Sequence, residues 1–199
     1  MRRAIWMAGL AGVAFTAIAS AASAQPDQFA RLCGPPGIHF GMSIDDWKAL
    51  PIPGERPGMV QPVCSDDQAA ANYLGVKTAP APGQPVVCGY ANRIGSVFLS
   101  DNISVLGGYP ASALRYRFPA SQLAEIDCAA PDNAFTAAHA RFDQLYGPSK
   151  KLLRDTVRTE VGVRPRVRET WSIPGGTVTM IDPAQPASDL LLQYKASGS

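Results

Sequence analysis

Four cysteines constrain the fold of this chain more than any other feature of its sequence. They are Cys33, Cys64, Cys88 and Cys128. An even number of cysteines in an exported chain predicts two disulfides. Three pairings are possible, and we favour Cys64 with Cys88, because that bond would clasp a proline-rich loop and leave Cys33 for Cys128. No metal or cofactor is predicted, because the sequence has no Cys-x-x-Cys motif and only two histidines.

Export is predicted by residues 1–24, which have the order of a secretory signal peptide. Two arginines near the start are followed by an uncharged, alanine-rich run, and Ala22-Ser23-Ala24 forms a small-residue cleavage site. We therefore predict a mature chain of residues 25–199 that is periplasmic or secreted. The apolar run is shorter than the ~20 residues that cross a bilayer, so we expect no stable membrane insertion after cleavage.

The charge balance argues against one class of partner. Lys and Arg number 18, Asp and Glu number 16, and cleavage would remove Arg2 and Arg3, which leaves no net charge. A neutral chain has no general electrostatic field that attracts nucleic acid or anionic lipid. The mature length fits a single domain, whose folding buries roughly 70% of the surface that the unfolded chain exposes.

A short helix and a long proline-rich loop follow the first cysteine. Ser43 is a favourable N-cap, so we predict a helix over 44–50. The loop spans 51–85, where seven prolines and four glycines oppose long helices and central strands. One ordered turn of helix is predicted inside it, over 69–74, with Ser65 in the capping box. Loops of this length are often functional or mobile.

The clearest helix lies in the second half of the chain. Apolar residues recur at helical spacing over 135–146, Asp132 or Asn133 can cap the start, and Gly147 can end it. His139 lies beside the apolar stripe of this helix. We predict a packing or capping role for His139, because the sequence shows no second titratable group arranged to work with it.

The other segments alternate polar and apolar residues with the period of β-strands. In 113–118, for example, Leu114, Tyr116 and Phe118 share one face. The predicted strands cover 86–90, 95–99, 103–106, 113–118, 122–128, 151–160, 166–173, 177–181 and 189–195. The fold class is therefore α+β, with an antiparallel sheet of about eight strands and two main helices packed on one side.

Several packing and turn signals resemble those of a group of small, uncharacterised bacterial periplasmic proteins. These signals lie at 37–43, 116–118, 123–126, Trp171, 146–148 and 192–194. The order of a helix followed by strands, which occurs twice, resembles that of β-lactamase inhibitor proteins and small outer-membrane assembly lipoproteins. The resemblance implies two helix-plus-four-strand halves and a role in binding another protein.

One charged segment indicates a partner. Residues 150–168, which we name the basic ribbon, carry seven basic residues against two acidic ones. If 151–160 pairs with 166–173, many of the basic side chains share the solvent face of one hairpin. Our hypothesis is an electropositive surface for an acidic envelope partner; the alternative is a charged edge that opposes strand-to-strand aggregation. The predicted binding residues are Arg158, Arg164, Arg166 and Arg168.

No motif in the chain predicts an active site. Gly41-Met42-Ser43 lacks the second glycine of a nucleophile elbow, and no glycine-rich loop leads into the Lys-Ser/Thr of a phosphate site. We therefore predict a non-catalytic module of the cell envelope that binds another protein or a peptide. Two alternatives stay open: an enzyme that uses His39 or His139 with nearby carboxylates, and a small-ligand carrier with an apolar cavity between helices and sheet.

Overall fold

The computed structural model describes residues 32–52, 59–99, 103–106, 108–159, 162–182 and 189–198, and the predicted leader lies outside them. The helices are α1 (Ile44–Lys48), α2 (Gln68–Tyr73) and α3 (Phe135–Tyr146). The strands are β1 (Val60–Cys64), β2 (Val86–Ile94), β3 (Val97–Leu99), β4 (Ser104–Val105), β5 (Tyr109–Pro110), β6 (Ala113–Phe118), β7 (Glu125–Ala130), β8 (Lys151–Thr159), β9 (Gly162–Ile173), β10 (Gly176–Ile181) and β11 (Leu190–Ala196).

One antiparallel sheet organises the fold. Its strands lie in the order β1-β2-β6-β7-β11-β10-β9-β8, and β3 pairs with β2 as a ninth strand. The order describes two four-stranded meanders that are joined through their last strands, because β7 pairs with β11. The predicted α+β class with an antiparallel sheet is confirmed. The main sheet has nine strands rather than about eight, because the β2–β3 hairpin adds one.

The main core lies between one face of the sheet and the helices α1 and α3. Trp47 of α1 is fully buried within 6.0 Å of three rings of the first meander, those of Tyr90, Tyr116 and Phe118. Phe142 of α3 lies 5.3 Å from Trp171 and 6.3 Å from Tyr194 in the second meander. Aromatic pairs at these distances stabilise by about 0.5–1.5 kcal/mol each beyond their burial. Each meander therefore has one helix fixed to it by one large ring.

The N-cap of α1 is the predicted one, and the helix is shorter than predicted. The backbone N–H of Asp46 donates to the Ser43 hydroxyl at 3.1 Å, and that hydroxyl donates to the Asp46 carboxylate at 2.8 Å. The helix ends at Lys48, before the predicted end at 50. Proline follows at 51 and 53, and a proline after a helix disfavours the helical conformation of the residue before it.

The proline-rich segment 51–85 is more ordered than predicted, because it contains β1 as well as α2. As the last strand on its side of the sheet, β1 can contain Pro62, whose missing N–H would interrupt a central strand. The helix α2 packs on the opposite face of the sheet from α1 and α3. There it forms a second, smaller core of Val63, Ala70, Leu74, Val87 and Ala91. The prediction that helices cover one side only is therefore incomplete.

Two predicted helix caps are wrong. Asp67, not Ser65, caps α2, since its carboxylate accepts from the N–H of Ala70 at 2.8 Å. Ser65 is fully buried, and its hydroxyl accepts from the N–H of Val87 at 3.0 Å instead. At α3, neither Asp132 nor Asn133 supplies a side-chain cap, because both lie in a 3-10 turn that leads into the helix. The predicted glycine stop at 147 is present, with a φ of 76°.

Two disulfides have the pairing that we favoured from the sequence. Cys64 and Cys88 lie directly opposite each other in β1 and β2. Cys33 binds Cys128 of β7 and so ties the segment that precedes α1 to the middle of the sheet. The described residues contain no free cysteine. Such bonds persist in oxidising compartments, which fits an extracytoplasmic protein.

We predict that the two disulfides differ in their contribution to stability. Cys33 and Cys128 are 95 residues apart, whereas Cys64 and Cys88 are 24 apart. On the chain-entropy model, closing these loops contributes about 4.7 and about 3.5 kcal/mol. Replacing Cys33 and Cys128 by alanine should thus lower the free energy of unfolding by about 1 kcal/mol more than replacing Cys64 and Cys88.

Equilibrium unfolding in urea checks this order, and each double variant is the control for the other because all four cysteines are buried. An equal loss in the two variants, or a larger loss without Cys64 and Cys88, would contradict the prediction.

Candidate partner-binding surface

The basic ribbon folds as the β8–β9 hairpin at one end of the sheet. β8 pairs with β9 along its whole length, from Lys151 opposite Thr170 to Thr159 opposite Gly162. β10 pairs with β9 only from Arg168 onwards. In the described part of the chain, residues 162–166 therefore have β8 as their only neighbouring strand. The hairpin extends beyond the end of β10 and exposes both of its faces.

β9 begins at Gly162, four residues before the predicted start at Arg166. The difference matters for the pairing, because the observed hairpin brings Asp155 directly opposite Arg166. The added segment of β9 contains Pro165, and proline is excluded from central strands. Here it is tolerated, because no strand lies on the other side of β9 at this position.

Asp155 binds two of the predicted partner-binding arginines. Arg166 donates from Nε to Oδ1 and from Nη2 to Oδ2, both at 2.9 Å, and Nη2 of Arg168 donates to Oδ2 at 2.5 Å. The pKa of Asp155 is lowered to about 2. The hydrogen bonding of Arg166 is the largest cause, and the hydrogen bond from Arg168 and the positive charges of both arginines act in the same direction. Arg166 and Arg168 are therefore part of the internal structure of the hairpin.

Four further cations of the ribbon lie on or next to β8. Their side chains are exposed, and no ion pair forms with them in the described ranges; they are Lys150, Lys151, Arg154 and Arg158. Leu152 and Leu153, between them, are 53% and 39% exposed. The edge of the sheet thus combines exposed apolar surface with cations that form no ion pair among the residues that the structure describes.

The four predicted binding arginines do not form one site. Arg166 and Arg168 share a face of the hairpin with Asp155, whereas Arg158 pairs with Val163 and lies on the opposite face with Arg154. Arg164 lies opposite Val157 in the register. Sequence reasoning missed Arg154 as a companion of Arg158 and Asp155 as the acceptor of Arg166. A predicted turn centred between residues 160 and 161 would have revealed both relationships, because the position of the turn determines which residues lie opposite each other in the two strands.

The enzyme alternative rests on the histidines, and His139 does have carboxylate neighbours. Its Nε2 lies 3.2 Å from Glu169 and its Nδ1 lies 3.4 Å from Asp143. Ser149 donates to Glu169 at 2.8 Å, and the indole N–H of Trp171 donates to Asp143 at 3.0 Å. The expectation that no titratable group accompanies His139 is therefore wrong, because Glu169 reaches it from β9, 30 residues away.

The His139 cluster is arranged as a structural link. The hydroxyl of Ser149 binds a carboxylate rather than the imidazole, so the base and the hydroxyl of a nucleophile pair are not in contact. The cluster instead joins α3 to β9, beside the buried ring of Trp171. His39, the other histidine, is exposed, and its Nδ1 lies 3.1 Å from the carbonyl oxygen of Phe40.

Two cavities lined by described residues bear on the alternative that the protein carries a small ligand. One of about 110 Å³ lies between α2 and the start of β6, beside Tyr73, Tyr90 and Arg115. Another of about 280 Å³ lies on the open face of the sheet, beside Arg117 and Lys195. Typical small-molecule sites measure about 300–1,000 Å³. Both of these cavities are thus smaller than that range, and the larger one lies on the sheet surface rather than between helices and sheet.

Comparisons with known proteins supply no function. No protein-family model, curated protein or solved structure matches this chain. Among the described residues, no group of three or more His, Cys, Asp or Glu side chains is arranged to hold a metal ion. The helices of that same part of the chain are too short and too polar to cross a membrane. The β8–β9 hairpin is therefore the feature of the molecule that bears most on function.

We predict that Arg166→Gln raises the pKa of Asp155 from about 2 towards its ordinary value of about 3.9. The variant removes the two hydrogen bonds that Arg166 makes to the carboxylate. Because the pKa in the folded state lies below that in the unfolded state, this ion pair stabilises the hairpin above pH ~4 and loses its effect as the pH falls through 2.

NMR titration of the side-chain carboxyl carbon of Asp155 measures this change directly. Arg158→Gln is the matched control, since it removes the same charge from the opposite face and should leave the titration of Asp155 unaltered. A pKa of Asp155 that is the same in Arg166→Gln as in the wild type would contradict the observed pairing.

Proposed function

We propose that this protein is a non-catalytic binding module of the cell envelope, and that its basic ribbon binds an acidic protein or peptide. The observation that carries the proposal is the charge imbalance of the β8–β9 hairpin. Its described carboxylates are both committed to internal contacts, Asp155 with Arg166 and Arg168, and Glu169 with His139 and Ser149. Within the described ranges, the cations of β8 have no such contacts and can therefore bind a partner.

The exposed leucines favour a binding role over a purely protective one. A positively charged edge by itself opposes pairing between copies of a chain. Leu152 and Leu153 do not protect the edge, because exposed apolar residues on an edge strand promote association with other chains. Arginine is also enriched at protein interfaces, where its planar, weakly hydrated head binds carboxylates with two hydrogen bonds. Arginine and leucine together suit a partner that is acidic and partly apolar.

The proposed location follows from the leader and the disulfides. The predicted signal peptide at 1–24 would deliver the chain to the periplasm or the medium, and both disulfides fit that oxidising environment. The two joined meanders also agree with the two-half architecture that the resemblance to β-lactamase inhibitor proteins implies. That resemblance supports a binding role by analogy of fold, which is weaker support than the charges of the hairpin.

We predict that reversing the two free arginines of β8 abolishes capture of the partner. Site-specific photo-crosslinking from position 153 in living cells, followed by mass spectrometry, should yield adducts with acidic envelope proteins. Arg154→Glu combined with Arg158→Glu should reduce these adducts by about tenfold or more, because opposite charges across the interface become like charges. Raising the ionic strength above 0.15 M should weaken capture by the wild type in the same direction.

The control has the same change in net charge at a distance from the hairpin. Lys48 is the last residue of α1 and Lys77 lies in the loop after α2; both are exposed, so their replacement by glutamate should leave the adducts intact. If the Arg154 and Arg158 variant gave the same adducts as the wild type, or if the control lost them equally, the ribbon would not be the binding surface.

A further inference from the structure

We propose that the partner binds by adding an extended, antiparallel strand to the outer edge of β8. This inference deepens the proposed function and rests on it, since it specifies how the basic ribbon takes its acidic partner. Among the strands that the structure describes, β8 is the last at its end of the sheet, and β9 is its one neighbour. It runs for nine residues, so its outer edge is long enough to accept a peptide strand.

Backbone hydrogen bonds show which groups of β8 face outward. The N–H of Lys150 donates to the carbonyl oxygen of Thr170 at 2.8 Å, and the N–H of Asp182 donates to that of Val167 at 2.9 Å. In a strand the N–H and C=O of one residue point to the same side. The backbone groups of the even-numbered residues of β9 therefore point towards β8. In the register these residues lie opposite odd-numbered residues of β8, as Arg166 lies opposite Asp155, so the odd-numbered residues of β8 bond to β9. The outward-facing backbone groups of β8 are those of Leu152, Arg154, Thr156 and Arg158.

Apart from its charged side chains, this edge carries few of the devices that usually protect strand edges. β8 contains no proline, and its pairing with β9 runs without a bulge from 151 to 159. Natural sheets block exposed edges with short strands, prolines, bulges or inward-facing charges. Of these, β8 has Asp155, and Arg166 and Arg168 neutralise it. The outer edge of β8 is therefore long and open to pairing, and its charges would determine which partner strand can pair with it.

The side chains of β8 specify the chemistry of that strand. Arg154 and Arg158 lie on one face, four residues apart, so acidic residues opposite them would also be four apart and on one face. On the other face, Leu153 and Val157 would lie opposite apolar residues. Asp155 disfavours a further acid opposite itself, because like charges that face each other across strands destabilise the pair.

The expected partner is therefore an extended segment with acids at positions 1 and 5 and apolar residues at 2, 6 and 7, where position 1 faces Arg158. A second copy of this chain does not fit, because it would bring one set of free cations against another. The free cations that would repel each other are Lys150, Lys151, Arg154 and Arg158.

Peptide binding to the full oxidised chain tests the proposal. The probe is the fluorescent peptide Glu-Val-Thr-Thr-Glu-Val-Leu with capped termini, and its control carries lysine in place of both glutamates. We expect the acidic peptide to bind and the lysine peptide to bind at least about tenfold more weakly. Thr156→Pro removes one outward N–H and no charge, and it should weaken binding of the acidic peptide about tenfold, whereas Thr156→Ala keeps the N–H and should bind within about twofold of the wild type.

Amide hydrogen exchange by NMR supplies a readout that survives if Thr156→Pro is poorly folded. Saturating the wild type with the acidic peptide should slow exchange of the outward N–H groups of Arg154 and Arg158. Exchange of Leu153 and Asp155, which already bond to β9, should change little. Binding without new protection at 154 and 158, or binding to Thr156→Pro with wild-type affinity, would overturn strand addition.

Different results would overturn strand addition and the binding of acidic partners by the basic ribbon. If Arg154→Glu with Arg158→Glu loses the peptide but Thr156→Pro retains it, the basic ribbon binds acids through side chains and strand addition is wrong. If neither variant differs from the wild type, the proposed function is wrong as well. A concentration-dependent dimer of the free chain in sedimentation, with exchange protection at the same N–H groups, would assign the edge to a second copy and overturn the inference.

Discussion

The pairing of β7 with β11 is the interaction on which the rest of the structure depends. Six residue pairs, from Leu190 opposite Ala130 to Lys195 opposite Glu125, join the two meanders into one sheet. Because the last strands of the meanders meet in the middle, their first strands, β1 and β8, form the two ends. The same pairing brings the rings of Trp47 and Phe142 over one common face. It also places the disulfide to Cys128 at the centre, where it anchors the segment that precedes α1.

The two ends of this sheet differ in physical character. β1 has five residues, contains Pro62, is bound to β2 by the Cys64–Cys88 disulfide and is covered on one face by α2. β8 has nine residues, no proline and no helix over its tip, and its free cations lie among exposed leucines. An exposed edge is a liability that proteins usually suppress. The contrast within one molecule is the reason that we propose β8, and not β1, as the edge that accepts a partner strand.

Charge placement in the hairpin combines stability with selectivity. Asp155 holds Arg166 and Arg168 on one face, and this contact rigidifies a pair of strands that no third strand supports at 162–166. Arg154 and Arg158, on the other face, form no ion pair with any of the described residues. Neutralised charges thus stabilise the hairpin, and the arginines without a described ion pair are those that we propose to select a negative partner. Electrostatic complementarity of this kind contributes more to the rate and specificity of binding than to its affinity.

The sequence by itself determined the local features of the structure, because these depend on residues that are close together in the chain. The alternation of 113–118, the helical spacing of 135–146, the Ser43 cap and the glycine stop at 147 each follow from residues a few positions apart, and all appear in the structure. The favoured cysteine pairing belongs here too, since two of its members flank a single loop.

Only the tertiary structure decided which strands meet and in which register. The contacts of His139 with Glu169, of Asp155 with Arg166 and of Ser65 with Val87 join residues 11 to 30 positions apart. A shift of one residue in a strand pair moves every side chain to the opposite face, so alternation alone cannot separate Arg158 from Arg166. The order of the strands, which leaves β8 at an open end, depends in turn on the β7–β11 pairing, and no local pattern encodes it.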